Sequence, residues 1–356
     1  MKLQDQNILF FTRTMKLGGT ENVVLQLCEI FKPLVNNIVV CSCGGVNENK
    51  LQELGIKHYR IPDIEDKNPL TVISVAKHLR KVVSDEHITV VHTHHRMAAF
   101  YVRLLGIHKY IHFINTSHNT FNDKKYLTRF TYKDCNLIAC GEMVKKNLQE
   151  VYGLQNVSVI HNAIKPFGEI ITPDKTLNNA KENGKFLIGN IGRLSEQKGI
   201  EYFIRAIPSV IERHPEADFF VIGSGEDEDK LKRMGNGLPV TFMGYRSDIQ
   251  NIMSQLDIIV LSSLWEGLPL TPIEAFSVGK TVVATNVDGT VEIVKDNYNG
   301  KLVKPKDSAE LAEMVCWMIE HQDERMKMEK SALETFENEF SFNKLAQSYI
   351  GYYERL

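Results

Sequence analysis

The sequence predicts an α/β protein of two successive doubly wound domains, each a parallel sheet covered by helices on both faces, and three observations carry that prediction. Short, β-rich apolar runs alternate with amphipathic stretches from the first residues onward. The alternation breaks once, over residues 166–184, and then starts again. The chain has 356 residues, more than one hydrophobic core usually organises, and at 43% apolar and 24% charged its composition is that of an ordinary globular protein.

In the first half, residues 7–12, 37–42, 89–92, 112–115, 137–139 and 158–161 read as strands, with amphipathic stretches at 21–31, 69–84 and 145–151 between them. Residues 166–184 carry two prolines, Asn178-Asn179 and Asn183-Gly184 with no clear period, so they read as a linker or surface loop. Strands are then expected at 186–191, 218–222, 240–243, 258–261 and 281–284, separated by helices near 200–213, 228–234, 247–255 and 271–278. A helical region at 308–338 precedes a last helix at 342–355 that no strand follows. The expected domains are residues 1–165, joined by the returning C-terminal helix 342–356, and residues 166–341.

Bulk properties narrow the functional classes. No run approaches the roughly 18 apolar residues a membrane span needs, and the first seven residues lack a signal-peptide hydrophobic region, so a cytoplasmic location is expected. The six cysteines, Cys28, Cys41, Cys43, Cys135, Cys140 and Cys316, show neither zinc nor disulfide spacing and read as reduced core or near-core residues. Residues 1–165 hold 21 Lys/Arg against 14 Asp/Glu, whereas residues 166–356 hold 21 against 30, and ten of the twelve histidines lie in the first half. Such asymmetry suggests that one half faces an anionic partner.

The chemistry-bearing motifs sit where strands end. Gly18-Gly19 follows the first strand and leads into a helix, where bare backbone and helix-start amides favour an anion. The absence of G-x-G-x-x-G argues against a dinucleotide dehydrogenase, and no G-x-x-x-x-G-K-[ST] loop occurs. Arg193 and Lys198, five residues apart after the first strand of the second half, suit a diphosphate. Glu266 and Glu274 lie eight residues apart in a mostly apolar run, and desolvating either without a partner would cost several kcal/mol, so each needs a ligand or donor. Pro269 and Pro272 place a helix N-terminus near residues 268–272. A plainer role exists for Glu274, because Thr271-Pro272-Ile273-Glu274 has the form of a capping box. Asp227-Glu228-Asp229 reads as acidic residues in the first turn of a helix, not as a metal site.

Glu266 to Ala275, Gly279 to Thr285 and Gly289 to Val294 together resemble the retaining glycosyltransferases of family 4, whose GT-B architecture sets two Rossmann-like domains face to face across a cleft. The resemblance covers nearly the whole chain. It implies that Glu274 holds the nucleotide ribose, Glu266 contacts the donor sugar, and Arg193 and Lys198 hold the diphosphate. It further implies that Leu270 and Thr271 offer backbone amides, that Gly19 approaches the diphosphate from the first domain, and that Gly244, Tyr245 and Arg246 border the base. A histidine in the first domain should lie near the reacting carbon. Two clusters at strand ends supply candidates, and His118 is favoured over His94.

The expected reaction transfers a hexose or N-acetylhexosamine from a nucleoside diphosphate sugar, taken as UDP-linked, to a hydroxyl of a glycan or lipid-linked acceptor, with no metal or other cofactor. A donor-binding subunit without turnover and a GT-B sugar-nucleotide epimerase are the alternatives. Residues 124–133 interleave basic and aromatic side chains, and as a helix would place Lys125, Arg129 and Lys133 on one face beside Tyr126 and Phe130. That pattern suggests peripheral contact with an anionic membrane; no nucleic-acid-binding motif accompanies it.

Overall fold

The computed structural model describes residues 1–168 and 170–356. The chain divides into two compact units, Met1–Asn162 with Leu345–Leu356, and Ala163–Lys344.

The first unit runs β1 (Asn7–Phe11), α1 (Gly19–Phe31), β2 (Asn37–Ser42), α2 (Glu48–Glu53), β3 (Lys57–Arg60), α3 (Pro69–Asp85), β4 (Val90–Thr93), α4 (Arg96–Leu104), β5 (His112–Ser117), α5 (Lys125–Tyr132), β6 (Asn136–Ala139), α6 (Glu142–Glu150) and β7 (Val157–Val159). Its seven strands pair in parallel in the order β3-β2-β1-β4-β5-β6-β7. Ile8 to Phe11 and Val90 to Thr93 are fully buried, as strands covered on both faces must be. Helix α3 starts where Asn68 accepts a hydrogen bond from the Leu70 amide and Pro69 supplies a preset first turn.

The second unit runs α7 (Lys175–Glu182), β8 (Phe186–Ile191), α8 (Ile200–Arg213), β9 (Ala217–Ile222), α9 (Glu228–Met234), β10 (Val240–Gly244), α10 (Ile249–Gln255), β11 (Ile258–Leu261), α11 (Leu270–Ser277), β12 (Val282–Thr285), α12 (Thr290–Ile293), β13 (Gly300–Val303), α13 (Ser308–Glu320) and α14 (Gln322–Thr335). Its parallel sheet has the order β10-β9-β8-β11-β12-β13. Helix α8 buries Ile200, Phe203, Ile204, Ile207 and Val210, and Phe203 meets Phe219 of β9 edge to face at 5.8 Å.

Two expectations need correction. The supposed linker at 166–184 contains α7, capped by Asp174, whose carboxylate accepts from the Thr176 and Leu177 amides; position 169 of that segment lies outside the described residues. One buried side chain, Leu177, is too little to write a period into the sequence. The unit boundary also falls earlier than 165/166, because Ile164 pairs with the end of the second unit: its amide donates to the Phe340 carbonyl at 3.2 Å, and its carbonyl accepts from the Phe342 amide at 3.0 Å.

The last helix, α15 (Phe342–Glu354), buries Tyr349 and Tyr353 in the first unit. The Tyr353 ring lies 4.4 Å from Phe31 and its hydroxyl 2.7 Å from His92 Nδ1. None of the six cysteines, all of them among the described residues, forms a disulfide. No helix among the described residues is long and apolar enough to cross a membrane.

Candidate active site

In an open α/β sheet, ligands bind beyond the strand C-termini where the strand order changes direction. That point lies between β8 and β11 in the second unit and between β1 and β4 in the first.

At the β8/β11 edge the two loops close on each other. Lys198, after β8, places Nζ 2.6 Å from Glu266 Oε1, after β11, and the Ser263 hydroxyl donates to the same oxygen at 2.7 Å. Gln197 donates to the Trp265 carbonyl at 3.0 Å and accepts the Leu264 amide at 2.8 Å through its own carbonyl. The Glu266 amide donates to Asp288 at 3.2 Å. Two glycines allow this packing. A Cβ on Gly289 would strike the Gly267 carbonyl, and one on Gly223, at φ +141°, would strike the carbonyl of Gly192.

Glu274 stands apart. Its carboxyl has no hydrogen-bond or ion-pair partner among the described residues, and burial pushes its pKa up to about 7, with Lys198 pulling the other way. The capping-box form is not realised: α11 begins at Leu270, behind Pro269, and no side chain caps it. Thr271 is already inside the helix, so Glu274 falls in its second turn and cannot reach back. The Leu270 and Thr271 amides are left as first-turn donors without intrahelical acceptors.

Arg193 lies on the same loop but is well exposed, held by Glu226 at 3.0 Å, a pairing of small energetic weight. Arg246 is bound at 2.7 Å to both Asp174 and Asp248, which makes it a fastener of the α7 and α10 starts and not a free cation. Gly244, at φ +69°, accepts the Gly223 amide at 2.8 Å, and Tyr245 is exposed. Asp227 and Glu228 sit at the start of α9, where Glu228 pairs with Lys232 at 2.8 Å.

In the first unit, loops after β1, β3, β4 and β5 line a cavity of about 630 Å³ whose walls include Arg13, Lys16, Thr20, Glu65, Arg96 and His118. Gly18 precedes α1 in extended backbone, and Gly19 opens the helix; Glu21 of the first turn is hydrogen-bonded to Thr14. His118 and His94 are brought together, with His94 Nδ1 3.1 Å from His118 Nε2. Burial pushes His118 down to about 4 and holds His94 well below the usual histidine range, so both are neutral at physiological pH.

Residues 17–166 match the family Glycosyltransferase Family 4, and residues 173–335 match Glycosyl transferases group 1. The protein is a GT-B glycosyltransferase of the family 4 kind. It is 26% identical over 333 residues to an uncharacterized glycosyltransferase of Methanocaldococcus jannaschii, covering 84% of this chain and 85% of that one. It is 28% identical over 327 residues to the UDP-Gal:alpha-D-GlcNAc-diphosphoundecaprenol alpha-1,3-galactosyltransferase of Escherichia coli, covering 82% of each. A glycosyltransferase structure from Rickettsia africae superposes with a TM-score of 0.86 at 22% identity, over 98% of each chain.

Three residues of this glycosyltransferase escaped the sequence reading. Ser263 and Asp288, which hold Glu266, carry no signal of their own beyond a position after a buried strand. Arg13 was equally silent: it pairs with Asp63 at 2.8 Å and also with Glu65, contacts that only the neighbouring strand ends bring together.

Proposed function

We propose that this glycosyltransferase moves a hexose or N-acetylhexosamine from UDP to a hydroxyl of a glycan or lipid-linked acceptor, with the anomeric configuration retained and without a metal. The observation that carries the reading is the half-buried Glu274 carboxyl, without a hydrogen-bond or ion-pair partner among the described residues, eight residues beyond the Glu266 that pairs with Lys198. A ribose supplies two hydroxyl donors to such a carboxylate, and a diphosphate suits Lys198, Arg193 and the amides of Leu270 and Thr271. In the first unit, the start of α1 at Gly18 and Gly19 offers amides to an anion, and His118 offers a ring nitrogen to a sugar hydroxyl. Gly244 and Tyr245 are assigned to the border of the base.

Glu266 is occupied by Lys198 and Ser263, which makes it a poor nucleophile and a good acceptor for a sugar hydroxyl. Front-face attack follows: the acceptor oxygen bonds to the anomeric carbon, the bond from that carbon to the phosphate oxygen breaks, and the acceptor proton passes to the leaving phosphate. Lys198, Arg193 and the helix amides would stabilise the charge that develops there.

A lipid-linked acceptor is supported by the name of the Escherichia coli relative and by a groove of mixed apolar and charged lining beside the histidine-lined cavity. Ile64, Val72, Phe100 and Tyr101 line it, and it shares Glu65, Met97 and Lys124 with that cavity. Exposed Leu104, Tyr110, Tyr126 and Phe130, among the basic residues of α4 and α5, support contact with an anionic bilayer.

The test is UDP release with a panel of UDP-sugars, with and without diphospho-lipid glycans, followed by NMR of the product's anomeric configuration. Acceptor-stimulated release with retention supports the reading. Donor binding without release under every acceptor would replace it with a donor-binding subunit, and inversion would remove the front-face mechanism.

A further inference from the structure

Three imidazoles form a column beside the cavity of the first unit. The rings of His92 and His94 stack at 4.3 Å with 29° between planes, and those of His94 and His118 at 5.4 Å with 23°. Both nitrogens of His92 are occupied, Nδ1 by the Tyr353 hydroxyl at 2.7 Å and Nε2 by the Thr116 hydroxyl at 2.8 Å. Thr116 in turn contacts the Tyr349 hydroxyl at 3.1 Å, so α15 fixes the base of the column. His94 is 3% exposed, its Nδ1 faces His118 Nε2, and its own Nε2 is sealed from water without a partner.

That sealed nitrogen decides the proton positions. A neutral imidazole carries one N–H and one lone pair. If His118 donated to His94 Nδ1, the His94 proton would sit on Nε2 as a buried donor with nothing to accept it. Orphaned buried N–H groups are rarer than under-satisfied acceptors. The opposite arrangement leaves only a lone pair unsatisfied.

We infer that His94 donates its Nδ1 proton to Nε2 of His118, so that His118 is protonated on Nδ1 and presents an N–H donor to the cavity. His94 is then a positioning residue that selects the tautomer of His118. A donor at that place holds a substrate hydroxyl by its oxygen and cannot accept the acceptor's proton, which leaves the phosphate oxygen as the base. This consequence rests on the transfer reading above, whereas the tautomer itself does not.

Long-range ¹H–¹⁵N correlation on the full-length protein with ¹⁵N-histidine, assigned by His118→Asn and His94→Asn, reads the tautomer directly. Nδ1 protonation of His118 is expected; Nε2 protonation overturns the inference whether or not any donor is turned over. In the kinetic arm, His94→Phe fills the space without a donor and should lower kcat about 3- to 10-fold with KM for the donor sugar unchanged, the loss expected from one neutral hydrogen bond. His94→Asn carries an amide N–H near the Nδ1 position and should restore kcat to within about twofold. Equal losses in the two variants, or a loss confined to melting temperature, would reduce His94 to a packing residue.

Discussion

Lys198 Nζ lies 2.6 Å from Glu266 Oε1, across 68 residues of sequence, and the pair is mostly buried. The cation that motif reading assigns to a phosphate is therefore already engaged by the carboxylate assigned to the sugar. Each side chain sets the position and charge of the other, so removing either should not act on one subsite alone.

Glu266→Gln should reduce kcat far more than it changes UDP affinity, because Lys198 is released toward the phosphate while the sugar loses a charged acceptor. Lys198→Ala should weaken UDP binding about 10- to 150-fold, the range for a hydrogen bond to a charged group, and also lower the melting temperature by leaving Glu266 unpaired. Calorimetric titration with UDP and thermal unfolding of both variants check this. Unchanged UDP affinity in both would separate the pair from the donor site.

The Glu274 carboxyl, raised to about 7 by burial, gives a signed pH dependence. Its folded pKa lies above the unfolded one, so the folded state holds the proton more tightly. Its contribution to stability without ligand, read as the difference between the parent and Glu274→Gln, should fall as pH rises from about 4.5 to 7 and then level off, whereas His94 and His118, held low by burial, contribute the opposite slope over much of that range. Binding of a UDP-sugar should run the other way, tightening through the same range, because the ionised carboxylate is the form that accepts ribose hydroxyls. Glu274→Gln should remove the falling contribution to stability and flatten the binding curve. Pyrophosphate diesters do not titrate near neutrality, so a UDP-sugar is the proper ligand. A pH-independent affinity in the parent protein would remove Glu274 from the nucleotide site.

Arg193→Ala tests the diphosphate assignment cleanly. Its ion pair with Glu226 is exposed, so the melting temperature should stay within measurement error of the parent while UDP affinity falls about 10-fold or more. Unchanged affinity would mean that the loop after β8 does not touch phosphate. Activity should survive EDTA; strict dependence on a divalent cation would contradict the charge stabilisation proposed here.

Membrane contact is tested by co-sedimentation with vesicles of varied anionic content. Helix α5 ends at Tyr132, so Lys133 is not on its face, and Arg129 Nε donates to the Tyr152 carbonyl at 2.6 Å. Reversing Arg129 would disturb the fold. The informative variant is the charge reversal of Lys124, Lys125 and Lys109, with about 1 kcal/mol of binding expected per cation near the surface. Binding indifferent to anionic lipid, salt and this variant would end the proposal and leave the transferase assignment in place.

By itself the sequence determined the parallel α/β layout and the chemical inventory of the donor site. A strand such as β11 is a continuous apolar run because both faces are covered, and α8 writes its buried face into a helical period; those patterns are local and need no partner to be read. The glutamate spacing and the two prolines within it are equally local. Edge strand β3 escaped because its exposed edge tolerates Lys57 and Arg60, β13 because Lys301, buried against the Trp317 ring, interrupts its short apolar run, and α7 because one leucine holds it. Only the tertiary structure decided that Lys198 meets Glu266, that Glu274 is left without a partner, and that His94 turns toward His118. Those contacts join residues that are neighbours only through the order of strands in each sheet, and a contact set by strand order leaves no periodic mark on the segments it connects.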